Sequence, residues 1–389
     1  MKNINIWLAA LMIAVTSGLL TVGAVAKSKA PELAITLYPA NGFAAENVAA
    51  RSIKVAITEN SGQFPDQVDP QITALARNAF IAEPITPVAI AILALGKAEP
   101  EKRKLMSESL SLSRRQLLVS AWMVADSGAR EDIPGLLDHY DTMLRTSSTA
   151  ASVIIPLMAR TLANDNFVLP FANLLAKQPP WAYEFWRTVV RTPEAIGNAA
   201  RLREMLYKPD ESDDTYRDTQ LISALVSDQQ FETAEALYFL LVGEDKTGSL
   251  LKNGSFEAIP EYSPIDWQLF STGEYGATVT EGKLELSAIR NSGGLFARQL
   301  VELPAKVMTI DIKPSVSIPD NAEIAVSLKC AQAMNESPQT IRIPLKQQIK
   351  NLQIDNARSG CSFFWLDIIG QASENGDGFD IALDSISLR

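Results

Sequence analysis

The groups able to do chemistry are few in this chain. Its one histidine, His139, stands in Asp138-His139-Tyr140-Asp141, and any Ser-His or Cys-His mechanism would have to run through it. No Gly-x-Ser-x-Gly elbow accompanies it, so the spacing reads as a histidine on a helix surface. One histidine and two cysteines exclude His-rich metal sites, zinc ribbons and iron–sulfur clusters. There is neither a Gly-x-Gly-x-x-Gly fingerprint nor a phosphate-binding P-loop. Cys330 and Cys361 lack Cys-x-x-Cys spacing. Outside the cytoplasm such a pair reads as a disulfide, and two buried free thiols are the other reading. Carboxylates are plentiful, 45 in all, but the pairing that glycoside hydrolysis needs is spatial, so the sequence names no catalytic residue. Glu374, Asp377 and Asp380 share a loop and read either as calcium ligands or as solvated charges.

Aromatic rings are the other chemical resource, because the C–H faces of sugars stack on flat rings. The candidates are Tyr262, Phe270, Tyr275, Phe296 and Trp365. In a strand over 362–369, Phe363, Trp365 and Asp367 share one face and Phe364, Leu366 and Ile368 share the other. Trp365 then either lines a cleft beside Asp367 or belongs to the core. Trp365, Tyr275, Tyr262 and Asp367 are the expected carbohydrate-binding set.

These groups sit in 389 residues with 35 Lys+Arg against 45 Asp+Glu, a net charge of −10. That balance argues against nucleic acid, whose phosphates demand a positive field. The length suits two to three domains. Ile4 to Ala26 carries no charge and lies between Lys2 and Lys27; as a helix it spans about 34 Å, enough for a bilayer core. Its length favours a retained anchor, whereas Ala24-Val25-Ala26 fits a cleaved signal peptide. Either reading takes the rest of the chain out of the cytoplasm, so residues 1–30 are expected to be a signal anchor or signal peptide.

Residues 31–248 read as an all-α segment. Apolar spacings of three and four predict helices over 72–81, 88–95, 114–125, 133–144, 151–162 and 221–226. Leu95-Gly96 and Ser127-Gly128 close helices 32 residues apart, and Arg217 to Leu241 forms another helix–turn–helix with Ala234 and Ala236 at the close approach. A period near 34 residues is what a helical solenoid needs. The segment resembles tetratricopeptide-like repeat proteins, without any unit carrying the full repeat signature, and an irregular bundle is the alternative. Ser111-Leu112-Ser113-Arg114-Arg115, the helix of Trp122, Leu137-Asp138-His139-Tyr140-Asp141 with Leu144-Arg145, and Pro179-Pro180-Trp181 are similar to repeat proteins of alphaproteobacterial surface-polysaccharide systems. That resemblance implies an accessory or scaffolding role, with protein partners binding the helical repeats.

Residues 249–389 change to a period of two. Strands are predicted over 277–286, 307–312, 323–328, 340–345, 362–369 and 379–388, about eight in all, as in an antiparallel sandwich or jelly roll. Asn253-Gly254-Ser255-Phe256-Glu257, followed by Trp267, and the closing Leu383-Asp384-Ser385-Ile386-Ser387-Leu388 resemble the first and last strands of galactose-binding-like jelly rolls. Carbohydrate-binding modules of families 4, 9 and 22 are the members they most resemble. The resemblance implies a structural calcium held by Glu257 and Asp384, the only cofactor expected. Ser385 departs from it where those modules often carry a second acid.

The expectation is therefore a non-enzymatic cell-envelope protein with periplasmic bulk. It is attached to the inner membrane through residues 4–26, or free in the periplasm after cleavage. It would serve the export or assembly of a surface polysaccharide. A polysaccharide hydrolase or lyase with an unrecognised carboxylate pair and a protein-only scaffold are the alternatives.

Overall fold

The computed structural model describes residues 2–65, 67–208, 214–243, 249–332, 340–356 and 360–389. The chain forms two compact units, Met1–Ile154 with Lys177–Trp181, and Ile155–Ala176 with Ala182–Arg389. The expected division into 31–248 and 249–389 follows the change of period, whereas compactness places the later helices with the strands. The boundary expected at residue 248 borders 244–248, which lie outside the described residues.

The first unit is helical. α1 (Lys2–Lys29) is followed by α2 (Pro31–Leu37), α3 (Gly42–Glu59), α4 (Pro70–Ala82), α5 (Pro87–Leu95), α6 (Glu101–Leu112), α7 (Leu117–Ala129) and α8 (Ile133–Thr146). Polar side chains start several of these helices by accepting orphan backbone N–H groups. Asn41 accepts from Ala44 N–H, Asp69 from Gln71 N–H and Asp132 from Gly135 N–H. Pro70, Pro87 and Pro134 occupy first-turn positions, where a missing N–H costs nothing. α5 is Pro-Val-Ala-Ile-Ala-Ile-Leu-Ala-Leu, buried over most of its surface. Its alanines let α3, α4, α6 and α7 all approach it. Ile53, Ile72, Ile92, Met106, Val119 and Trp122 make the core.

The predicted helices over 72–81, 88–95 and 133–144 correspond to α4, α5 and α8. The one predicted from 114 begins at Leu117 instead, because Ser113–Gln116 is a turn. α3 was not read from the pattern; its buried face is Gly42, Ala44, Ala45, Ala49 and Ile53, too weakly apolar to mark a period. The pairs starting at Pro70, Glu101 and Ile133 are 31 and 32 residues apart. Their spacing is regular, but it does not make them tetratricopeptide repeats.

In the second unit, the end of α9 (Ala151–Thr161) leads to α10 (Val168–Leu175), α11 (Ala182–Val189), α12 (Ile196–Leu206), α13 (Thr215–Ser227) and α14 (Phe231–Val242). Phe171 stacks on Phe185 at 5.2 Å. Arg203 and Asp218, both almost fully buried, form a bidentate pair at 2.9 Å joined by Arg217. Gly243 ends α14 in the left-handed region.

The strands are β1 (Gln268–Leu269), β2 (Tyr275–Thr280), β3 (Lys283–Ala288), β4 (Gly293–Glu302), β5 (Val307–Pro314), β6 (Ala322–Cys330), β7 (Thr340–Leu345), β8 (Ile349–Asp355), β9 (Phe363–Ala372) and β10 (Phe379–Leu388). They form two antiparallel five-stranded sheets, β1-β4-β9-β6-β7 and β2-β3-β10-β5-β8, packed around one core. Two expectations need correction. The run 277–286 is a hairpin, not one strand: Glu281 and Gly282 both take positive φ, the geometry of a two-residue type I′ turn. Asn253–Glu257 is not the first strand. Asn253 and Phe256 have positive φ, and pairing begins only at Gln268. Its packing role nonetheless holds, since Phe256 and Trp267 are buried 5.6 Å apart and Gly254 carbonyl accepts the Ile386 N–H at 2.8 Å.

Cys330 and Cys361 form a disulfide between the end of β6 and the approach to β9. α13 and α14 are part of this unit. Thr219 and Ser223 donate to the Glu261 and Ser263 carbonyls, and Phe231 packs on Phe363 at 5.2 Å.

Candidate functional site

The site begins with the alternation of β9. Phe364, Leu366 and Ile368 point into the sandwich core, so Phe363, Trp365 and Asp367 must face outward. Cross-strand pairing then sets their neighbours: Arg298 opposes Asp367 and Leu300 opposes Trp365 on β4, while Ser327 and Lys329 oppose them on β6. The Phe363 end of this face is closed by Phe231 of α14. Next along the face, Trp365 is half-buried, and Arg298 and Lys329 at its sides also reach solvent.

Arg298 and Asp367 form a fork. Nε donates to Oδ1 at 2.6 Å and Nη2 to Oδ2 at 2.9 Å, with Asp367 side-chain exposure at 12%. The same guanidinium lies 4.7 Å from the centroid of the Trp365 ring, a cation–π distance. The fork fixes the guanidinium, and the guanidinium fixes the indole. The arrangement is a preformed patch in which Trp365 is partly exposed and Lys329, opposite it on β6, is exposed. It can stack against an apolar ligand face and donate hydrogen bonds around it.

The remaining sequence-predicted residues are elsewhere. Tyr262 is buried edge-on to Tyr238, centroids 6.1 Å apart. Phe296 is fully buried, and Tyr275 packs on it at 5.1 Å, against the sandwich core. Phe270 is half-buried, with its backbone hydrogen-bonded to Phe296 and Ala277. Trp365 and Asp367 are thus brought together, while Tyr262 and Tyr275 are not part of their patch. Arg298 was missed because β4 was not expected. Its signal was Gly293-Gly294 ahead of an apolar run.

The calcium pair does not fit the cation. Glu257 is exposed on its turn. The Asp384 carboxylate accepts from Ser315 and lies 2.8 Å from the Lys313 ammonium. Those partners, Lys313 first, hold its pKa below the usual carboxylate range. An ammonium already supplies the charge that calcium would bring. Among the described residues no group of three or more His, Cys, Asp or Glu gathers, so the Glu374, Asp377 and Asp380 loop makes no ligand set either.

Carboxylates in the helices have structural partners. Glu46 is buried on α3 and accepts the Val88 and Ala89 N–H groups at the start of α5, at 2.7 and 3.4 Å. Burial raises its pKa against those two hydrogen bonds. A cavity of about 360 Å³ in the second unit is lined by Arg160, Arg187, Arg191, Glu184 and Glu194 among others. Glu184 there is half exposed and paired with Arg187 at 3.2 Å, the opposite of a desolvated general acid. His139 is partly buried, with its pKa lowered chiefly by desolvation. No hydrogen bond among the described residues joins it to a serine or a cysteine.

No family model matches the chain, and no curated protein matches it. Two solved structures that do match are accessory secretory proteins 1, 2 and 3 of Streptococcus pneumoniae and TmCBM61 in complex with beta-1,4-galactotriose. The first has 12% identity over 34% of this chain and 99% of that chain, with a TM-score of 0.25. The second has 17% identity over 37% of this chain and 99% of that chain, also at 0.25. At such TM-scores neither likeness carries an argument about this chain.

Proposed function

We propose that this chain is a non-catalytic envelope protein that stays anchored by α1 and binds a glycan on the outer face of the sheet β1-β4-β9-β6-β7. The observation that carries the reading is Trp365 held flat by the Arg298–Asp367 fork. A ring positioned before ligand arrives loses little entropy on binding. The disulfide supports an oxidising compartment. Ala10–Lys29 is long and apolar enough to cross a membrane by length and composition, and it stays mostly exposed. Gly23 is buried, and its carbonyl accepts from Asn41 at 3.1 Å. That knits residues ahead of the Ala24-Val25-Ala26 cleavage pattern into the folded unit, which favours retention over removal. Inner membrane, periplasmic bulk and a helical unit that receives protein partners complete the proposal. The setting in surface-polysaccharide export or assembly rests on the sequence resemblance.

The test is a glycan array probed with the detergent-solubilised full chain and with Trp365→Ala, both checked for folding by circular dichroism. Retention of one glycan class by the parent protein and its loss in Trp365→Ala is expected. A folded parent protein that retains no glycan would leave the protein-only scaffold as the better reading.

A further inference from the structure

We propose that one edge of the helical unit lies on the surface of the same bilayer that α1 crosses, docked by exposed apolar side chains and by arginines facing anionic headgroups. The inference rests on α1 being a retained span. It starts from where the turns fall. Asn41, at the start of α3, donates to the Gly23 carbonyl of α1 at 3.1 Å, and Asn47 donates to the Lys27 carbonyl at 2.8 Å. The beginning of α3 is therefore level with the last turns of the span. α4 returns to that level: at Gly42 a Cβ would meet Glu83 Cγ at 2.6 Å and Ala79 carbonyl oxygen at 2.8 Å.

The next turns stay at the same end. Ser109, late in α6, donates to the Pro87 carbonyl at the start of α5 at 2.5 Å. Thr146, at the end of α8, donates to the Arg114 carbonyl ahead of α7 at 3.2 Å. The α4–α5, α6–α7 and α8-end turns thus line up from the point where α1 leaves its apolar stretch.

What that edge exposes differs from the other end. Ile81 is 72% exposed, Ile85 62%, Leu117 60% and Leu112 49%, with Arg114 and Arg115 exposed between them. The turns at the far end mix charges, Asp69, Glu99, Glu101 and Glu131 with Lys97 and Arg130, all exposed, and none of their described residues is an exposed large hydrophobic. Apolar side chains with arginines suit the boundary of an anionic bilayer. Turns that are charged and expose no large hydrophobic suit the end directed away from it. Just past the apolar segment Lys27 covers the Phe43 ring at 4.8 Å, which places a cation and an aromatic at the level where such anchors gather.

The experiment uses the full chain in vesicles of phosphatidylcholine and phosphatidylglycerol with nitroxide-bearing acyl chains. A nitrobenzoxadiazole label is attached to one introduced cysteine at a time, while the native pair stays in its disulfide. Ile81→Cys and Leu117→Cys report the edge, Glu131→Cys the far end, and Val15→Cys the span. Quenching at positions 15, 81 and 117 with none at 131 is expected. Quenching at 15 with none at 81 and 117, or equal quenching at 131, overturns the docked edge and leaves the anchor intact. No quenching at 15 overturns the anchor and the docked edge together.

Discussion

At the scale of single residues, the chain repeatedly uses one charged group to set the position of another. Arg298 holds Trp365 while Asp367 holds Arg298; Glu46 holds the start of α5. Glu46 yields a signed prediction. Its folded pKa is raised by burial, so its contribution is fully present below the unfolded pKa and is lost as pH rises through the folded value. Glu46→Gln keeps a carbonyl acceptor for the helix start and removes the charge. It is expected to melt at or above the parent temperature at neutral pH and to flatten the loss of stability on the alkaline side of the carboxylate range. Glu46→Ala removes the cap and is expected to cost about 1 kcal/mol. Thermal melts across pH check both; a Gln variant as unstable as the Ala variant would refute the assignment. Half of the candidate patch was legible at this scale. Period two put Trp365 and Asp367 on one face of a strand, but nothing local to them names Arg298, which reaches them only through strand pairing. Tyr262 and Tyr275 lie apart from that patch, packed on Tyr238 and Phe296, because an aromatic side chain reads the same in sequence whether it stacks on a ligand or on another ring.

At the scale of elements, the second unit depends on closures between distant segments. The disulfide ties β6 to the approach to β9, and removing it is expected to cost roughly 3–4 kcal/mol in the loop-entropy view. Reductant is therefore expected to lower the melting temperature of the full chain. A chelator is expected to leave it unchanged, because Lys313 already neutralises Asp384 and a bound calcium would otherwise stabilise by mass action. A drop with chelator that calcium restores would contradict the assignment of Asp384. Eight elements were readable in advance with nearly their observed bounds: α4, α5, α8, β5, β6, β7, β9 and β10 carry strong periodic patterns. The misses have specific causes. α3 buries alanines that leave no contrast, the Glu281-Gly282 turn hides inside an apolar run, and the positive φ of Asn253 and Phe256 turns a strand-like motif into a loop. Gly254 is tied to that loop by proximity, since a Cβ there would lie 2.2 Å from the Ile386 carbonyl oxygen.

At the scale of the whole molecule, composition and punctuation foretold the order of parts: an apolar N-terminal helix, helices, then a two-sheet sandwich. The change of period near Gly243 marks a change of secondary structure, but the compact unit that holds the strands also takes in α10 to α14. Functional tests therefore need the full chain, since strands cut away from Phe231 and Ser223 would expose Phe363 and lose the hydrogen bond to Ser263. The central claim is that Trp365 is a sugar platform, and saturation-transfer NMR tests it most directly. The full chain is saturated in the aromatic region in the presence of mixed neutral and acidic oligosaccharides. Transfer to sugar C–H protons from the parent protein, and none from folded Trp365→Ala, is the predicted result. Equal transfer from both proteins, or none from the parent, would contradict it.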